Sequence, residues 1–134
     1  NYMLQKANKT LNQVDVQINI PEDLYFNNFN ICVILGNLVD NAVREASKSK
    51  EKLLTIKMQI KQEVLLIFIE NSYSGKILEK RNGLQTTQPE LAIHGIGLEN
   101  VKKVVIANGG EIKIDYTSNR FCVQVLLYMS RIKN

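Results

Sequence analysis

Three short segments hold side chains able to do chemistry. In Asn37-Leu38-Val39-Asp40-Asn41-Ala42 two asparagines stand four apart, a spacing that stacks their amides one turn apart on one helix face. Asparagine is a poor helix former and costly to bury unpaired, so such a pair asks for a reason. One reason is that amide oxygens are hard ligands that suit magnesium when phosphate oxygens and water complete its octahedron. The other is that both amides cap or bridge neighbouring backbone. In Glu70-Asn71-Ser72-Tyr73-Ser74-Gly75 an apolar strand ends in a polar turn. A side-chain carbonyl there accepts a hydrogen bond from the amino group of an adenine ring, or closes an ordinary Asx turn. In His94-Gly95-Ile96-Gly97-Leu98-Glu99-Asn100 a Gly-x-Gly opens a helix, where the backbone can approach an anion and the free amides of the first turn complement phosphate charge. A Gly-x-Gly alone is a weak signal.

The elements that must position these segments follow from hydrophobic periodicity. Val14, Val16, Ile18 and Ile20 alternate with polar residues as a half-buried strand that Pro21 ends. Cys32, Leu35, Leu38, Val39, Ala42 and Ala46 recur at helical spacing from about Asn30 to Ser47. Leu54, Ile56, Met58 and Ile60 mark a second strand, Gln62-Glu63 a tight connection, and Val64 to Ile69 a strand apolar on both faces, expected to be covered on each side. From Ser72 to His94 the periodicity stops, and an unstructured run of that length in a compact domain points to a lid or binding loop. Leu98, Val101, Val104, Val105 and Asn108 restore helical spacing up to a left-handed stop at Gly109-Gly110. A hairpin closes the chain, with Ile112 to Tyr116 and Phe121 to Leu127 joined at Ser118-Asn119. This order predicts an α/β (α+β) two-layer sandwich, a mixed and largely antiparallel sheet with helices on one face.

Composition narrows the function classes. The chain has 134 residues, the size of one domain. With 45% hydrophobic and 22% charged residues it can build a core, which sets aside disordered and fibrous classes. Its net charge of +4 is dispersed and its aromatics are scattered, so nucleic-acid binding is not expected. Val64 to Ile69 is the longest apolar run, too short to span a bilayer, and no secretory signal opens the sequence, so a cytoplasmic fragment without membrane contact of its own is expected. Cys32 and Cys122 sit in apolar segments and read as buried free thiols.

Taken together in this order, the three segments resemble the GHKL ATPase superfamily. Leu35-Gly36-Asn37-Leu38-Val39-Asp40-Asn41-Ala42 is similar to its N box and His94-Gly95-Ile96-Gly97-Leu98-Glu99-Asn100-Val101 to its G2 box. Within it the chain looks like the catalytic ATP-binding domain of a sensor histidine kinase, most similar to peptide quorum-sensing receptor kinases of the Agr type. The resemblance covers residues 14–134, with an ATP lid at about 72–96. It leaves Asn1 to Gln13, which contains no histidine, as the end of a dimerisation helix or a linker.

The resemblance implies ATP and magnesium as ligands. Asn41 would coordinate the metal and Asn37 support the phosphates or the metal shell, these two carrying the catalytic role. Arg44, Gly95 and Gly97 would meet phosphate, and Asn71 would read adenine where most of the superfamily has aspartate. Gly75, Ile96 and Leu98 belong to the same nucleotide-binding boxes, and His94 is assigned a hinge or phosphate contact. Tyr73 stands where the family's loop has a glycine. Hydrolysing members have a glutamate four residues before the metal-binding asparagine; Asn37 cannot take a proton, so fast ATP hydrolysis is not expected. The implied reaction is transfer of the γ-phosphoryl group to a histidine on a separate dimerisation domain, in a homodimeric, membrane-bound receptor with a response-regulator partner. The rivals are a degenerate interaction module of the same fold and an anti-sigma-type serine kinase.

Overall fold

A computed structural model describes residues 2–21, 29–74 and 96–131. The element order is α1 (Tyr2–Thr10), β1 (Gln13–Asn19), α2 (Phe29–Lys48), β2 (Leu53–Lys61), β3 (Val64–Ser72), α3 (Ile96–Ala107), β4 (Glu111–Tyr116) and β5 (Arg120–Tyr128), with a closing 3-10 turn at Met129–Arg131. The five strands form one sheet in the order β1-β2-β3-β5-β4, parallel between β1 and β2 and antiparallel elsewhere. The expected two-layer, mostly antiparallel architecture is what the chain adopts.

Period-2 alternation decides which side of the sheet is buried. The register aligns Leu54, Ile56 and Met58 of β2 with Asn71, Ile69 and Ile67 of β3, and these with Phe121, Val123 and Val125 of β5. That face packs against Ile31, Ile34, Leu35, Leu38, Ala42 and Ala46 of α2 and Leu98, Val101 and Val105 of α3, all buried. Fully burying side chains of this size contributes roughly 1.5–3 kcal/mol each. Ala7 and Leu11 add the end of α1 to the same core.

Two details differ from the sequence reading. The second face of β3 has no helix over it among the described residues: Val64, Leu66 and Phe68 are half-buried. Flanking side chains shield them instead, with Leu66 beside Leu126 and the Lys57 ammonium 5.9 Å from the centre of the Phe68 ring. Cys32 is exposed and Cys122 half-buried rather than both buried, because Cys32 lies outside the core arc of α2 and Cys122 is on the open sheet face.

Turns hold the frame in register. Gln62 and Glu63, at φ 53° and 64°, form the two-residue link between β2 and β3, whose pairing closes at Lys61 and Val64. The end of α3 is a Schellman cap: Gly109 adopts φ 71°, its N–H donates to Ile106, and that of Gly110 donates to Val105. Gly110 must be glycine because a Cβ there would stand 2.5 Å from the Leu126 carbonyl oxygen.

Candidate functional site

α2 and α3 run antiparallel across the covered face. The Asn30 amide reaches Asn108 at 3.5 Å, tying the start of α2 to the end of α3, and Asn41 and Leu98 line one small cavity, so the start of α3 faces the middle of α2. The opposite end of α2 is clasped to the end of β3. The Ser49 and Ser72 hydroxyls are 2.7 Å apart, the Leu53 N–H donates to Ser72 at 2.8 Å, and the Lys52 N–H donates to Ser49 at 3.1 Å. The middle of α2, the start of α3 and the end of β3 thus meet where the sequence put its polar residues.

The cavity between these elements is about 10 Å³, lined by Leu38, Asn41, Ala42, Ile69, Asn71, Leu98, Phe121 and Val123. It therefore unites Asn41, Asn71 and Leu98, which lie 27 or more positions apart in the sequence. A larger groove, about 650 Å³, crosses the open sheet face over Leu66, Phe68 and Leu126. Size favours that groove, but none of the candidate site residues lines it, so the small cavity is the better candidate.

Asn41 is only 5% exposed. Its Oδ1 accepts a hydrogen bond from the Arg44 guanidinium, which also donates to Asp40 at 3.2 Å. Its Nδ2 is buried and has no partner among the described residues. Leaving such a donor unsatisfied costs about 1–3 kcal/mol, a burden that is normal at sites built for a ligand. Asn37 behaves differently: its amide donates to the Val33 carbonyl one turn back, at 3.1 Å, the backbone-bridging alternative the sequence left open. It does not line the cavity with Asn41.

Asn71 lies inside β3 and not in a turn, paired with Leu54 and Phe121. Its Nδ2 donates to the Ser72 carbonyl at 2.9 Å, which leaves the amide oxygen as the group able to accept. Tyr73 is buried, edge-on to Phe121 at 5.8 Å, and its hydroxyl donates to the Thr117 carbonyl. The large Tyr73 side chain is thus absorbed by the β4–β5 hairpin. Burial pushes the Tyr73 phenol above its ordinary pKa, with nearby Tyr116 adding to the effect.

Ile96 and Gly97 form the first turn of α3, whose N–H groups lack intrahelical acceptors and whose dipole favours anions. Gly75, His94 and Gly95, and most of the lid expected at about 72–96, lie outside the described residues. For a hard cation the residues present fit through one protein oxygen, Asn41 Oδ1, with phosphate and water left to fill the shell. No cluster of three acidic, histidine or cysteine ligands exists among the described residues.

Sequence reasoning passed over Glu45. It is 7% exposed, one turn beyond Asn41 on the buried arc of α2. The available signal was an acidic residue at i+4 from Asn41 among the apolar positions.

Comparison with known proteins agrees with this fold. The sequence profile of a family described as "GHKL domain" matches residues 26–128. No curated protein matches the chain in sequence. Among solved structures it is similar to the Acinetobacter baumannii histidine kinase AdeS, at TM-score 0.59 and 17% identity over 96% of this chain. It is also similar to the histidine kinase domain of an Erythrobacter litoralis blue-light activated histidine kinase, at 0.61 and 14% over 97%. The nucleotide-free catalytic domain of the histidine kinase ThkA gives 0.58 and 18% over 96%. The chain spans 64%, 60% and 85% of these three proteins' own lengths.

Proposed function

The chain belongs to the GHKL domain family, and on that premise we propose that it is the ATP-binding catalytic domain of a two-component sensor histidine kinase of the Agr type. The observation that carries the reading is the meeting of Asn41, Asn71 and Leu98 around one cavity, with a buried amide donor on Asn41 that nothing in the described protein satisfies.

In this reading adenine enters between α2, α3 and the sheet, widening the small cavity, with the Asn71 oxygen accepting from its amino group. The polyphosphate lies toward the first turn of α3. Arg44, with its side chain 45% exposed, turns from Asn41 to the phosphates and frees Oδ1. Asn41 is the residue that would hold magnesium, with Asn37 nearby in support, and the ion would supply neutralisation of the phosphate charge. The γ-phosphoryl group then passes to an imidazole nitrogen. The bond to the β-phosphate oxygen breaks, a P–N bond forms, and the imidazole N–H proton is released. Such transfer needs positioning and charge neutralisation more than a base on this domain, in accord with an amide at position 37.

Residues 14–134 carry the catalytic domain, and the segment before Val14, whose Ala7 and Leu11 pack on its core, is the end of a dimerisation helix or a linker. The accepting histidine lies on that separate domain of a homodimeric receptor, and a response regulator receives the phosphoryl group next. The test is incubation of the chain with γ-labelled ATP, magnesium and the receptor's histidine-bearing hairpin. Acid-labile, alkali-stable label on the hairpin is the expected result; label on serine, or none with a folded chain, overturns it.

A further inference from the structure

Glu45 lies on the buried arc of α2, one turn beyond Asn41 and just outside the residues that line the cavity. Relative to Asn41, helical geometry sets it 40° around the axis at about 100° per residue, inside the arc occupied by Ile34, Leu38 and Ala42, all buried. Its height along the helix is bracketed from both sides. Asn41 and Ala42 share a cavity with Asn71, and Ser49 bonds Ser72, so Glu45 stands between these two levels, opposite the end of β3. A carboxylate is almost never buried this deeply without strong pairing. The ion partner here is Lys48 at 3.8 Å, whose side chain is 62% exposed. A long bond to a solvated lysine does not explain a carboxylate buried on the apolar arc of α2.

We infer that Glu45 is a specificity-determining residue of the nucleotide site, its carboxylate accepting one N–H of the adenine 6-amino group while the Asn71 amide oxygen accepts the other. This rests on the ATP-site reading above and deepens it. The amino group has two donors. Asn71, with its nitrogen committed to Ser72, offers one neutral acceptor, and hydrogen bonds to an ionised acceptor are roughly twice as strong as neutral ones. Glu45 restores from the helix side the negative charge that position 71 lacks.

The experiment measures affinity for Mg-ADP and for the Mg-diphosphate of purine riboside, which has hydrogen in place of the 6-amino group. Wild type is compared with Glu45→Gln, which keeps shape and removes charge, with Glu45→Leu, which removes the acceptor, and with Lys48→Ala. Thermal melts confirm folding. Wild type should prefer ADP about tenfold or more, and Glu45→Gln should reduce that ratio several-fold. Glu45→Leu should reduce it further, and Lys48→Ala should leave it unchanged. Nucleotide binding by all variants with an unaltered ratio overturns the role of Glu45 and leaves the site reading standing. Failure of folded wild type to bind either ligand overturns both. If Glu45→Gln fails to fold, Glu45→Asp, which keeps the charge and withdraws it by one methylene, must lower the ratio; an unchanged ratio there overturns the inference.

Discussion

Replacing Asn41 by leucine should make the protein more stable and at the same time blind to nucleotide. The side chain is 5% exposed and its Nδ2 has no partner among the described residues, so the native amide carries an uncompensated desolvation cost of about 1–3 kcal/mol. Leucine is similar in shape and has no donor to strand. Against this stands the lost bond from Arg44, whose side chain is 45% exposed and can return to water and Asp40, a loss of roughly 0.5–1 kcal/mol. The adjoining cavity gives little room for a branched methyl, so some of the gain is consumed by repacking. The balance is a net stabilisation of about 1 kcal/mol, or a Tm rise of about 3–5 °C for a domain of this size. Urea unfolding with an unchanged m-value reads the first effect and calorimetric titration with a magnesium–nucleotide complex reads the second. Destabilisation by more than about 1 kcal/mol, or nucleotide affinity equal to wild type, would refute the reasoning.

Other consequences are simpler to state. Changing Gln62-Glu63 to Asn-Gly should raise stability by about 1 kcal/mol, because both residues hold positive φ in a turn that favours that pair; chemical denaturation showing no gain would contradict the turn assignment. Cys32 should react with a thiol reagent at pH 8 long before Cys122. The former is exposed, whereas burial, with the Glu70 and Asp115 carboxylates nearby, pushes the Cys122 thiol up to about 11. Only about 0.1% of Cys122 is then thiolate at pH 8, and its labelling should accelerate as pH rises toward 11. Peptide mass mapping that finds equal labelling at pH 8 would overturn this.

Local signals told most of the frame. Alternation located β2 and β5 within a residue and the start of β3, whose last three residues, Glu70 to Ser72, read as a turn because they are polar; the Gly109-Gly110 pair marked the stop of α3, since these signals depend on neighbours in sequence. The open second face of β3 was misread because an apolar run records what a strand tolerates, not what covers it. Leu66 and Phe68 are shielded by Lys57 and Leu126, contacts set by register across strands. The parallel pairing of β1 with β2 is likewise a long-range outcome. At the site, helical spacing put Asn37 and Asn41 on neighbouring ground, yet only Asn41 lines the cavity, because Asn37 satisfies itself on Val33. Glu45 escaped notice because a glutamate in a helix is ordinarily solvated, and its burial follows from the closure of α2 onto the sheet.

The measurement that bears most directly on the central claim is calorimetric titration of this chain with a non-hydrolysable ATP analogue, with and without magnesium, against a GTP analogue. Saturable binding of the adenine nucleotide, strengthened by magnesium and weakened by Asn41→Ala in a folded variant, is the predicted result. A folded chain that binds no nucleotide at millimolar concentration, or binds both purines alike with no effect of magnesium, would contradict it.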